Sequence, residues 1–170
     1  MTLKNPPCFV ETMTKEMWPE VSRIYEAGIA TKLATFEKQA PVWETWDNAH
    51  RQDCRLVAHL NKRIVGWAAL SNVSSRCVYA GVAEVSIYID AGYRGKGIGD
   101  LLMEALIKES ERNRIWTLQA GVFPENTASI HLHHKHGFRT LGIKEHIAKM
   151  EDTWRDVAQL ERRSKVVGID

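Results

Sequence analysis

Between Val82 and Asp90 the chain alternates. Ala83, Val85, Ile87 and Ile89 fall on one face of a predicted strand, and Val82, Glu84, Ser86 and Tyr88 fall on the other. From Gly97 the period lengthens to three and four, and Ile98, Leu101, Leu102, Ala105, Leu106 and Glu109 trace one stripe of a helix reaching about Arg112. The local order is therefore strand, glycine-rich turn, helix. Upstream, Cys8 to Glu11 reads as a short strand. Thr14 is placed to N-cap a helix to about Ala27 with Met17, Val21, Ile24 and Tyr25 along one side, loosening at Gly28. Thr31 to Gln39 has no period. Pro41 then suits the first turn of a second helix carrying Val42, Trp43 and Trp46. Arg55–Leu60 and Arg63–Leu70 flank the polar Asn61-Lys62, the pattern of a hairpin. Ile115–Val122 reads as a further strand and Asn126 as the N-cap of a short helix ending at Gly137. Phe138–Met150 and Trp154–Leu160 read as closing strands.

The whole chain, 170 residues with no repeat and no low-complexity linker, is expected to form one domain spanning 1–170. Twenty-three basic against 21 acidic residues give a formal charge of +2, which offers no general attraction to nucleic acid or to an anionic membrane, so any anion site must be local. Cys8, Cys54 and Cys77 are odd in number and lack C-x-x-C spacing. They are expected to be buried small hydrophobes in a reducing, cytoplasmic setting. No run of about 18 apolar residues exists and Met1–Pro7 lacks the apolar stretch of a signal peptide, so no membrane association is expected.

The turn Tyr93-Arg94-Gly95-Lys96-Gly97-Ile98-Gly99 lies where backbone N–H groups and the positive end of a helix meet a phosphate. Its glycines admit close approach while Arg94 and Lys96 add charge. Glycine also serves any tight turn before a helix on steric grounds alone. The turn is too short for a P-loop and lacks its Lys-Ser/Thr end, and no acidic residue follows at the dinucleotide-fold position, so neither ATP nor NAD is favoured.

Arg94-Gly95-Lys96-Gly97-Ile98-Gly99 matches, at every required position, the acetyl-CoA motif of the GNAT superfamily of N-acetyltransferases, which the sequence resembles. Asn126-Thr127-Ala128-Ser129-Ile130, Leu132-His133 and His136-Gly137-Phe138 are similar to that family's second motif. Ala34-Thr35-Phe36-Glu37, Ala83–Ile89 and Trp154-Arg155-Asp156-Val157 resemble the phosphinothricin and methionine sulfoximine acetyltransferase group over nearly the whole chain. The sequence departs from that group at Val85, where a histidine is frequent, and at Ser74-Ser75-Arg76, where some members have arginine-proline-phenylalanine. The resemblance implies an α+β fold of α/β/α layering: a mixed, mostly antiparallel twisted sheet of six to seven strands with about four helices. It also implies acetyl-CoA as co-substrate, a small-molecule amine as acceptor, a homodimer, and no metal.

It further implies that Ile87, Tyr88, Ile89, Arg94, Gly95, Lys96, Gly97, Ile98, Gly99, Asp100, Asn126 and Ser129 contact acetyl-CoA. Thr35, Phe36, Glu37, Ser74, Ser75, Arg76, Tyr79, Glu84, Val85 and Ser86 would surround the acceptor. Acetyl transfer needs a neutral amine, and an α-amino group with a pKa near 8 is mostly protonated at neutral pH, so a base is useful. Glu84, on the polar face of the central strand, is the candidate; its other reading is an ion pair or a contact to the acceptor's ammonium. A free N–H on a splayed strand would stabilise the oxyanion. His133 stands where tyrosine is frequent in the family, as an acid toward the leaving thiolate, a cofactor contact or a plain helix histidine. Asn126 serves as N-cap, as pantetheine partner or both. Arg76 is a fork for an acceptor carboxylate or a solvated arginine. His131, His133, His134 and His136 include no i, i+4 pair, which argues against a metal. The alternatives to a small-molecule N-acetyltransferase are a protein or peptide N-acetyltransferase and a non-catalytic acyl-CoA-binding module.

Overall fold

The structure, a computed structural model, describes residues 8–170; Met1–Pro7, the segment without an apolar stretch, lies outside the described residues. Seven strands form one sheet: β1 Phe9–Thr12, β2 Leu56–Leu60, β3 Arg63–Asn72, β4 Val82–Ile89, β5 Thr117–Val122, β6 Arg139–Met150 and β7 Thr153–Arg163. Their order is β1-β2-β3-β4-β5-β7-β6. Four helices cover it: α1 Trp18–Ala30, α2 Trp43–Ala49, α3 Ile98–Arg112 and α4 Thr127–Lys135. The expected mixed, mostly antiparallel α+β architecture is observed. Only β4 and β5 run parallel, because α3 carries the chain back across the sheet between them.

Strand alternation divides the core into two layers. Leu56, Ala58, Ala68, Leu70, Ala83 and Val85 face α3 and pack on Leu102, Met103 and Leu106. Val57, Trp67 and Ala69 face the other way, onto Val21 and Ile24 of α1 and Trp46 of α2. Trp67 lies parallel to Tyr88 with centroids 4.8 Å apart and meets Tyr25 and Trp46 edge-on at 5.4 and 5.7 Å. Each such pair contributes about 0.5–1.5 kcal/mol beyond area burial. The two faces assigned to β4 are thus the faces observed.

Several boundaries move. Thr14 opens a 3-10 turn, Lys15–Met17, without a side-chain cap; α1 starts at Trp18 because Pro19, with no N–H to satisfy, suits its first turn. α1 continues through Gly28, where it crosses the sheet so closely that a Cβ would lie 2.6 Å from Cδ1 of Tyr88. Glycine marks a close approach there and not a helix end. Pro41 lies just outside α2, whose N-cap is Val42. β5 starts two residues after Ile115, since the N–H groups of Trp116 and Thr117 both donate to the Gly81 carbonyl, at 2.8 and 3.0 Å. Of the cysteines only Cys54 is buried: Cys8 is half-buried, and Cys77 is exposed in the β3–β4 connection.

Candidate active site

The β4–β5 ladder ends at Glu84–Gln119. β3 goes on pairing with β4 as far as Ile89, and β7 with β5 as far as Val122, so the two central strands part toward their C-terminal ends. The Asp90 N–H donates to the Val65 carbonyl at 2.9 Å, which sets the phase of the β3–β4 ladder. By the antiparallel period of two, the N–H groups of Ser86 and Tyr88 serve β3, and those of Val85 and Ile87 open into the gap. The splay that sequence alone does not reveal is therefore a consequence of which neighbour each strand keeps.

On one side of the gap lies a cavity of about 500 Å³, walled by the end of β4, the turn after it, α4 and the segment Thr31–Ala34. Gly95 and Gly97 hold φ of +73° and +79°, and neither has an atom within 4 Å of where a Cβ would stand. The N-cap of α3 is Gly97, which offers no side-chain cap, and the first backbone bond is Leu101 N–H to Gly97 carbonyl at 3.1 Å. The N–H groups of Ile98, Gly99 and Asp100 precede that bond and have no helical acceptor. A concave, backbone-lined and positive helix end of this kind suits a pyrophosphate. Arg94 lines the cavity, whereas Lys96 does not: its Nζ sits 5.2 Å above the Tyr93 ring. Asp100 is held by Lys135 at 2.9 Å and His136 at 2.8 Å, which push its carboxyl below the ordinary range and offset its charge beside an anion site.

On the other side, a cavity of about 460 Å³ is floored by Glu84 and Ser86, walled by residues of β5, β6 and β7, and roofed by Thr35, Phe36 and Glu37. The two cavities share Leu33, Ala34, Ile87, Tyr88, Asn126 and Ser129. Glu84 opens to solvent through this space and, among the described residues, has no hydrogen-bond or ion-pair partner; the protein crowded around its carboxyl raises its pKa, an effect Lys144 partly offsets. Val85 also lines this cavity.

His133 is 2% exposed. Its Nδ1 stands 2.7 Å from the Ser129 carbonyl and must carry the proton, so Nε2 is the unprotonated nitrogen, and it has no partner among the described residues. Burial lowers its pKa, which disfavours the imidazolium that an acid role requires. The other histidines turn elsewhere: His134 to Thr140 Oγ1 at 2.9 Å and His136 to Asp100, while His131 lines the turn-side cavity. The Asn126 side chain is engaged by backbone at both ends, accepting from the Ser129 N–H at 3.2 Å and donating to the Leu33 carbonyl at 3.1 Å.

The roof is latched from below. Phe36 meets Phe123 edge-on at 4.9 Å, and the Arg155 guanidinium lies 4.1 Å from the centroid of Phe123. Arg155 also donates to the Lys32 carbonyl at 3.1 Å and pairs with Glu125 at 3.4 Å; Lys32 pairs with Glu151 at 2.8 Å.

Ser74, Ser75, Arg76 and Tyr79 line neither cavity. Their loop closes on itself, with Ser74 Oγ accepting from the Arg76 N–H at 3.2 Å and the Arg76 guanidinium 5.6 Å over the Tyr79 ring. In their place the fold supplies Lys144, Ile147 and Ala148 of β6 and Val157 and Gln159 of β7, none of which the sequence reading named as a site residue, although Val157 closes the quoted run Trp154–Val157. A bulge between Lys144 and Ala148 breaks the alternation there, and His146, at φ +46°, donates its N–H to Asp156 at 2.8 Å. Strict period-two reading puts Ile147 on the opposite face from Lys144. The bulge brings both to the cavity.

Residues 15–138 match the Acetyltransferase (GNAT) family. YwnH of Bacillus subtilis (strain 168) is 31% identical over 147 residues, covering 84% of this chain and 90% of its own. The phosphinothricin N-acetyltransferase of Alcaligenes faecalis is 28% identical over 165 residues, covering 91% and 82%. A phosphinothricin acetyltransferase from Sinorhizobium meliloti, solved in complex with acetyl-CoA, has the same fold, with a TM-score of 0.81 at 22% identity over 96% of each chain. With the family's motif turn standing at the mouth of a splayed central sheet, and the family match running over most of the length, the chain belongs to the GNAT family of acetyltransferases.

Proposed function

We propose that this acetyltransferase moves the acetyl group of acetyl-CoA to the α-amine of a free L-amino acid or analogue, of the phosphinothricin and methionine sulfoximine kind, by direct attack within a ternary complex. The observation that carries the reading is Glu84: a carboxylate without a partner among the described residues, in a cavity that adjoins the turn-side cavity across the splay. The turn residues Arg94, Gly95, Gly97, Ile98 and Gly99, the N–H groups that open α3 without a helical acceptor, and the walls Ile87, Tyr88, Ile89 and Ser129 would hold the co-substrate, which supplies the thioester carbonyl. Thr35, Phe36, Glu37, Val85 and Ser86 would enclose the acceptor.

Glu84, ionised, takes a proton from the acceptor ammonium, directly or through water, and the freed nitrogen attacks the carbonyl carbon. The N–H groups of Val85 and Ile87, turned into the gap, donate to the oxygen as it gains charge. As the C–S bond breaks, the nitrogen sheds its second proton, and the sulfur either takes that proton or leaves as a thiolate while the proton goes to solvent. Its pKa is near a cysteine's, about 8.5, so no strong acid is needed. His133 then acts by contact: its Nε2, without a partner among the described residues, would accept a hydrogen bond from a bound molecule at the cavity wall. The chain is proposed to work in the cytoplasm as a homodimer. The exposed Leu141 and Ile143 on edge strand β6 support the pairing, and sedimentation equilibrium tests it.

The activity is tested by following CoA thiol release with acetyl-CoA and a panel of free amino acids, phosphinothricin, methionine sulfoximine, polyamines and a lysine peptide. Release with a free amino acid or analogue, with the N-acetyl product identified by mass, is the expected result. Release with the peptide alone transfers the activity to protein acetylation, and binding of CoA without release with any acceptor makes the chain a binding module.

A further inference from the structure

Lys144 has no assigned role, yet among the described residues it is the one basic side chain, other than the neutral His133, that lines the acceptor cavity. It sits on β6 directly opposite Val157 of β7, and antiparallel partners point to the same face, so the two residues enter the cavity together. The bulge that follows, held by the bond from the His146 N–H to Asp156, keeps this segment turned inward. Among the described residues Lys144 makes no ion pair and no side-chain hydrogen bond. Glu84, which feels its charge across the same space, makes none either. Two opposite charges face one cavity and neither is satisfied by the described residues.

We propose that Lys144 is the specificity residue of the acceptor site. Its ammonium binds the α-carboxylate of the acceptor while Glu84 receives the α-ammonium, so the site selects zwitterionic amino acids and their analogues over amines that lack a carboxylate. The pairing follows from charge order: an α-amino acid presents cation and anion on one carbon, and the cavity presents anion and cation on facing walls. A polyamine or a peptide lysine leaves Lys144 facing a cation or an apolar stem. The assignment rests on the acetyltransfer reading above and adds to it the group that reads the carboxylate. It also gives the role expected of Arg76 to a residue from the other end of the chain.

The test compares kcat/KM for L-phosphinothricin and L-methionine sulfoximine with kcat/KM for the α-carboxamide of each, in the wild type, Lys144→Met and Lys144→Arg. The wild type is expected to prefer the acid at least tenfold. In Lys144→Met that ratio falls to within about threefold of one, through KM for the acid, and in Lys144→Arg a cation remains and much of the preference returns. Calorimetry of the acid against the CoA-loaded Lys144→Met protein reads the same loss as weaker binding, and a melting curve shows whether the variant is folded. A wild type that acetylates acid and carboxamide equally, or a Lys144→Met protein that keeps the ratio, overturns the role of Lys144 alone. A wild type that acetylates neither member of either pair overturns the acetyltransfer reading, and this assignment with it.

Discussion

Replacing Glu84 with glutamine keeps the size and shape of the side chain and removes its charge and, with it, the ability to take a proton. Because the carboxylate has no hydrogen-bond or ion-pair partner among the described residues, the substitution leaves none of their groups without its mate. A positioned general base contributes about 10²–10⁴ in rate, which is about 3–5 kcal/mol of barrier. The expected fall in kcat/KM lies in that range. CoA affinity should stay within about twofold, since Glu84 lines the acceptor cavity and not the turn-side cavity. The pH profile gives a second reading. Only the ionised form accepts a proton, so wild-type kcat/KM rises with pH through a pKa displaced above the ordinary carboxylate range, and Glu84→Gln loses that limb. Stability moves the opposite way. The folded carboxyl has the higher pKa, so the unfolded chain ionises first as pH rises, and ionised Glu84 weakens the fold at neutral pH. Melting of Glu84→Gln at pH 7 is therefore expected at or slightly above the wild-type temperature, with the difference gone at a pH well below the ordinary carboxylate value. A kcat/KM within threefold of wild type, or a drop in melting temperature at pH 7 together with the loss of activity, refutes the base assignment.

Arg55 is 5% exposed and donates to the carbonyls of Asp47, His50 and Arg51 and to the Asp47 carboxylate, while its guanidinium lies over Trp46. Arg55→Met strands those carbonyls at the end of α2. Because Asp47 is partly open to water the expected cost is about 3 kcal/mol, read by calorimetry as a melting temperature roughly 6–12 °C lower. Gly97→Ala forces a side chain to a φ of +79° with no neighbour for the new methyl to strike, so the fold should lose only about 1 kcal/mol. CoA titration is expected to show at least about a tenfold weaker complex, because the backbone can no longer approach as closely. Arg155→Met keeps the stem under the roof and removes the bonds to Lys32 and Glu125. Its KM for the acceptor should rise up to about tenfold with a smaller change in kcat, and limited proteolysis should cut the 31–39 segment faster than in wild type.

The elements whose pattern is local were legible in the sequence. The alternation of Val82–Ile89, the stripe of α3 and the hairpin of β2 and β3 follow from side-chain period, and Asn126 caps α4 as its residue type suggests, accepting from the Ser129 N–H. The turn from Arg94 to Gly99 was equally visible, because glycine spacing and a helix start are both written in one short run. Elements whose limits depend on contact were less so. Gly28 looked like a helix end because a glycine tolerates one, and only the Tyr88 ring beside it explains why α1 passes through.

What the sequence by itself determined is the chemistry and the order of its parts: a polar strand face bearing Glu84, a phosphate-suited turn after it, and a capped helix beyond. Tertiary structure decided where these meet. The gap between β4 and β5 exists because each keeps its outer neighbour while their own ladder stops at Glu84. Lys144 reaches the site, and Ser74, Ser75, Arg76 and Tyr79 do not, because a bulge in β6 and a self-contained loop after β3 set directions that residue type does not encode. Side-chain period is a property of neighbouring residues in the chain. Strand divergence and cavity walls are properties of residues far apart in sequence that burial and backbone pairing bring together.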